Sequence, residues 1–166
     1  MDVDKIIKDE KKKQETERIL NSAELKRLKI RKTETENFKD QFRKFFRDVY
    51  HFSCPKDCEP VVATYDSVVV TLAENVERNE QEKGYTIYFT LTSPDKSVHS
   101  IFAEGVAYRL GAVGEDEVLI SESELTEANL KFLEDVIHRR VFYKFKYKIE
   151  EDEREFGTVR GLMEVV

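Results

Sequence analysis

The residues best suited to chemistry in this sequence are one histidine and two cysteines near its middle. His51, Cys54 and Cys58 lie within eight residues, and imidazole nitrogen and thiolate sulfur are ligands that Zn²⁺ prefers. A fourth ligand from His99 or His138 would complete a tetrahedral site. Structural zinc sites usually carry paired C-x2-C motifs, whereas this chain has one C-x3-C motif with a proline inside it. The alternative is an ordinary loop that carries two small thiols.

A second candidate is a run of positive side chains within the first fifty residues. Residues 25 to 32 hold five cations and no acid, and further cations follow up to residue 47. A nucleic-acid backbone would accept such a surface, because phosphate neutralisation needs positive charge but little geometry. Flanking glutamates dilute this charge, so the alternative is a solvated or subunit-facing helix. The candidate anion-binding residues are Lys26, Arg27, Lys29, Arg31, Lys32, Arg43, Lys44 and Arg47.

The pairing closest to a catalytic one is a serine and a histidine on a predicted strand. Ser97 and His99 would share one face of that strand, because alternate residues of a strand point the same way. Nucleophilic catalysis also needs a group that orients the base, together with a cleft. The sequence carries no such signature and no phosphate-binding glycine loop. We therefore expect a non-enzymatic protein without a cofactor.

Composition limits the class of protein. The chain has 166 residues, 40% of them hydrophobic, which suits one core with an appendage. Its longest apolar stretches resemble Val68 to Val70, far short of the roughly 20 residues that a membrane span needs. Two cysteines give no disulfide framework, and the N-terminal residues lack the apolar region of a secretory signal. We expect a cytoplasmic protein with no membrane partner.

The charge is unevenly distributed along the chain. Residues 1–50 hold 15 Lys and Arg against 11 Asp and Glu, whereas the remainder holds 13 against 23. This asymmetry favours an anionic partner for the N-terminal part, or pairing between neighbouring subunits, or simply a solvated surface. The acidic remainder also permits a regulator that imitates a polyanion and inhibits a host protein, as small phage-encoded regulators can.

The N-terminal segment is predicted to be a charged helical arm over residues 1–33. It lacks Pro and Gly, and its apolar residues fall in two groups separated by the polar stretch 8–18, which excludes a continuous heptad coiled coil. Two threonines within residues 33–36 predict an interruption. A second helix over residues 35–50 is predicted from its apolar stripe, which consists of Phe38, Phe42, Phe45, Phe46, Val49 and Tyr50.

The rest of the chain, residues 34–166, is predicted to be an α+β domain. Its antiparallel sheet of about 4–6 strands would pack against a helix. The strands are expected at about 61–73, 85–92, 97–110 and 141–150, with a short last strand within 157–166 and a helix at about 122–140. Gly105 is a candidate β-bulge.

The function predicted from these patterns is protein interaction or assembly. An apolar stripe on the arm must pack on another surface, which would be a second copy of the chain or another protein. A homo-oligomer formed through the N-terminal helices is the leading form of this prediction. The alternatives are a nucleic-acid accessory protein and the acidic inhibitor. The predicted partner-binding residues are Ile19, Leu20, Leu25, Leu28 and Ile30.

Overall fold

The N-terminal third of the chain forms one long helix. In the computed structural model, which describes residues 1–111, 114–117 and 129–166, helix α1 runs from Val3 to Tyr50 without a break. The predicted interruption at residues 33–36 is therefore wrong. Thr35 lies within the helix, and its hydroxyl donates a hydrogen bond of 2.8 Å to the carbonyl of Arg31, one turn earlier. A threonine bonded in this way satisfies its hydroxyl without ending the helix.

A six-stranded sheet follows α1 and confirms the predicted α+β class. Five strands are neighbours in chain order and pair antiparallel, and the sixth, β6, also pairs with β4. The predicted strand 61–73 is in fact a hairpin of two strands. Its turn contains Asp66 at a φ of 50°, a left-handed conformation that aspartate tolerates. The strands are β1 (Val61–Tyr65), β2 (Val68–Glu74), β3 (Thr86–Thr92), β4 (Val98–Gly111), β5 (Gly114–Glu117) and β6 (Val141–Ile149).

The β3 and β4 strands match the alternation in the sequence. Along β3 every second residue is buried, and the Ser93 carbonyl accepts a hydrogen bond of 2.9 Å from the Lys96 amide in the turn that follows. Gly105 on β4 allows a close approach to a neighbouring residue, because a Cβ there would lie 2.7 Å from the Cβ of Tyr85.

Three short helices complete the described residues, namely α2 (Val76–Gln81), α3 (Leu130–Ile137) and α4 (Val159–Met163). The last of these replaces the predicted final strand. The Thr158 hydroxyl caps α4 by accepting a hydrogen bond of 3.0 Å from the Gly161 amide, and three apolar side chains of α4 are buried. The predicted helix at 122–140 is described only from residue 130, and its proposed start lies outside the described residues.

The chain divides into two units. One contains residues 1–30 and 106–144, the other residues 31–105 and 145–166, so that α1, β4 and β6 contribute to both. In the second unit the four phenylalanines of the predicted stripe are buried against the sheet and α4. Val49 and Tyr50, from the same stripe, are exposed. The core of the first unit consists of Ile19, Ala23, Ala107, Phe132, Leu133, Val136 and Val141.

Candidate interaction surface on the N-terminal helix

One side of α1 is covered within the chain between Thr16 and Arg27. Ile19 and Ala23 are buried against Phe132 and Leu133 of α3, and Leu20 packs at the edge of the same cluster. Ile19 is only 4% exposed, so it is not accessible to a partner. The prediction that Ile19 helps to bind another molecule therefore needs correction, because this residue closes the core of its own unit.

The opposite side of the same helix carries exposed apolar residues. Leu25 and Leu28 remain on the surface, as a partner-binding role requires, while Ile30 is partly covered. Three residues that were not predicted as partner-binding join the two leucines on this face. We call Val3, Ile6, Ile7, Leu25 and Leu28 the exposed stripe, and each of them is between 47% and 70% exposed.

Helix geometry places these five residues on one face. Ile7 and Leu25 are separated by 18 residues, about five turns, and Val3 and Leu28 by 25 residues, about seven turns. Ile19 and Ala23 lie roughly on the other side of the helix. The signal was therefore present in the sequence, but it joins residues on either side of a long polar gap.

The face between the two ends of the stripe is exposed as well. Every residue from Met1 to Glu15 is exposed, and the polar residues that lie on the same face between Ile7 and Leu25 are Glu10, Gln14, Glu17 and Asn21, all of them exposed. The face therefore has apolar ends and a polar middle.

The predicted basic run does not form a continuous accessible surface. Arg27 is buried and pairs with Glu24 at 2.9 Å. Arg31 donates hydrogen bonds to three backbone carbonyls at the C-terminal end of α2 and in the residues that follow it, those of Asn79, Glu82 and Thr86. Arg43 is buried and pairs with Asp40 at 2.9 Å. Of the eight cations, Lys29, Lys32 and Lys44 are exposed, and Lys26 and Arg47 are partly covered.

The predicted zinc ligands are not brought together. Cys54 is buried, whereas His51 and Cys58 are exposed. Burial raises the pKa of the Cys54 thiol, which disfavours the thiolate that a metal needs. Among the residues that the structure describes, no three His, Cys, Asp or Glu side chains form a group that could hold a metal ion.

The predicted serine and histidine pair does make contact, with Ser97 just before β4 and His99 on it. The Ser97 hydroxyl lies 3.2 Å from Nε2 of His99 and donates a hydrogen bond of 2.6 Å to Asp95. Because a serine has one hydroxyl proton and Ser97 gives it to Asp95 in this arrangement, the hydroxyl does not donate to His99, as activation by a general base requires. Ser97 lies on the exposed connection before β4, where its hydrogen bonds lower the pKa of Asp95.

Two buried polar contacts hold α1 in the second unit. Lys39 is 4% exposed and its ammonium group contacts the carboxylates of Glu59 and Glu74. Burial alone would lower the pKa of Lys39, but the two hydrogen-bonded carboxylates outweigh this effect and raise it. The Tyr147 hydroxyl donates a hydrogen bond of 2.7 Å to Glu34, and burial raises the pKa of Glu34. Both contacts stabilise the fold and leave the exposed stripe accessible.

Comparisons of this chain with protein-family models, with curated proteins and with solved structures find no match. Within residues 1–111, 114–117 and 129–166, none of the helices combines the length and apolar character that crossing a membrane requires.

Proposed function

We propose that this chain is a non-enzymatic interaction module whose N-terminal helix docks on a protein surface through the exposed stripe. One observation carries the proposal. Five aliphatic side chains share one face of a helix, and between Thr16 and Arg27 the opposite face of that helix is buried within the chain. Scattered exposed leucines are common on proteins, but an aligned set on one helix face is typical of interaction sites.

Docking would be favourable because the side chains of the exposed stripe are in contact with water in the free chain. Full burial of an aliphatic side chain contributes roughly 1.5 to 3 kcal/mol, and the stripe residues are about half exposed or more. Docking would therefore remove a substantial apolar area from water, and the fold of the chain itself does not require that area. The polar middle of the face would limit affinity and contribute specificity.

The other predicted functions have less support. Binding of nucleic acid would use the basic run, but Arg27, Arg31 and Arg43 already have partners inside the chain. We place the module in the cytoplasm, because two cysteines in 166 residues provide no disulfide framework.

A photo-crosslinking amino acid at position 25 tests the proposal directly. The probe replaces Leu25 in the full chain, in living cells, and a matched probe replaces Val98, which has similar exposure but lies on β4. We expect a defined covalent product from position 25 and none from position 98. Equal products from both positions, or none from position 25, would contradict the proposed docking face.

A further inference from the structure

We infer that the surface docked on the exposed stripe is the same stripe of a second copy, with the two helices antiparallel. This inference rests on the proposed function and names its partner. It depends on the symmetric placement of the apolar residues along α1.

The symmetry is visible in the residue numbers. A two-fold axis that passes α1 between Glu15 and Thr16 brings Val3 opposite Leu28 of the second copy. The same axis brings Ile7 opposite Leu25 of the second copy, to within about one residue. Both apolar ends of the face would then be covered at once. An unrelated partner gives no reason for apolar residues to be placed at equal distances from one point.

The polar middle fits the same arrangement. Glu10 would face Asn21 of the second copy, and a carboxylate can accept a hydrogen bond from an amide. The same axis places Lys13 of each copy next to Glu17 of the other copy. Two copies would therefore gain two such ion pairs. Polar residues within a helix interface are also known to fix its register and orientation, at a cost in stability.

A parallel arrangement is much less suitable. Parallel helices in register place each residue of the face opposite itself, so Glu10 would face Glu10 and Glu17 would face Glu17. Like charges opposed across an interface are unfavourable. The antiparallel arrangement separates these carboxylates and places each near an amide or an ammonium group. The pattern of charges therefore selects the direction as well as the partner.

Disulfide trapping between two differently tagged variants tests the inference. The background is the full chain with Cys54→Ala and Cys58→Ala. One variant then carries Ile7→Cys and the other Leu25→Cys, both at exposed positions, and circular dichroism confirms that each variant is folded. The two are oxidised alone and as a mixture. A matched mixture replaces the second variant by Val98→Cys, whose parent residue has similar exposure.

We expect a disulfide between the variants in the mixture, at least tenfold more abundant than in either variant alone. In an antiparallel pair the two copies of residue 7 would lie about 25 Å apart, too far for a disulfide. Disulfides within the single variants would overturn the antiparallel direction. No disulfide above the level of the Val98 mixture would overturn the second copy as partner. In that case a crosslink from position 25 to a different protein would leave the proposed function intact. The absence of any crosslink from position 25 would contradict the proposed function as well.

Discussion

The ion pairs of the buried Lys39 allow a prediction about stability. Removing the lysine should destabilise the fold much less than removing its carboxylate partners. The Lys39 side chain is 4% exposed, whereas Glu59 is 59% and Glu74 is 32% exposed. Lys39→Met removes the ammonium group but keeps the aliphatic volume. The double change Glu59→Gln with Glu74→Gln removes both close carboxylates but keeps the ammonium group in place.

The exposures decide the magnitudes. After Lys39→Met the two carboxylates can return to water, so the loss in the free energy of unfolding should stay below about 1 kcal/mol. After the double change, Glu36 at 3.9 Å is the one carboxylate among the described residues that stays within ion-pair distance of the buried ammonium group. A buried charge without its partner costs about 3 to 5 kcal/mol, and we expect a loss at the lower end of that range.

Urea denaturation at neutral pH, followed by circular dichroism, measures both losses. Glu36→Gln is the matched control, because this carboxylate is exposed and lies 3.9 Å from Lys39, and we expect it to change stability by less than about 0.5 kcal/mol. If Lys39→Met destabilised the protein as much as the double change, the reasoning from burial would be refuted.

Three further predictions concern the pH dependence, the packing and the two sides of α1. Since burial raises the pKa of Glu34, the folded state favours the neutral carboxyl, and stability is lost as pH rises from the ordinary value of 4.5. The stability advantage of Glu34→Gln over the natural chain should therefore grow from acid to neutral pH in urea titrations, and a constant difference would contradict this. Gly105→Ala should lower the free energy of unfolding by about 1 to 3 kcal/mol, because the new Cβ collides with the Cβ of Tyr85. In dilute samples, Ile19→Ala should cost about 2 to 5 kcal/mol and Leu25→Ala less than about 0.5, and similar losses would disprove the assignment of the two sides.

Local patterns in the sequence predicted what depends on local geometry. The phenylalanine stripe was recognisable because Phe38, Phe42 and Phe45 follow one another at helical spacing, and β3 because buried residues alternate along it. The predicted interruption near Thr33 was wrong. The helix packs against other residues both before and after this position, and such packing outweighs the small loss of helix propensity at a threonine. The final strand was wrong because a short segment with apolar residues at both strand-like and helix-like spacings does not distinguish a strand from a capped helical turn.

The functional face could be predicted only in part. The sequence identified Leu25 and Leu28, but it grouped them with Ile19, which the chain itself buries. Which side of an amphipathic helix is covered depends on α3 and β4, more than eighty residues away in the chain. In the same way, the partners of Arg31 lie about fifty residues further on, and no local pattern reports them.

The mass of the full chain in solution, measured by light scattering over a range of concentrations, tests the central claim most directly. The natural chain should approach twice its monomer mass as concentration rises, and Leu25→Asp with Leu28→Asp should remain at the monomer mass with an unchanged circular dichroism spectrum. A natural chain that stays monomeric throughout, or a double variant that dimerises equally well, would contradict pairing through the exposed stripe.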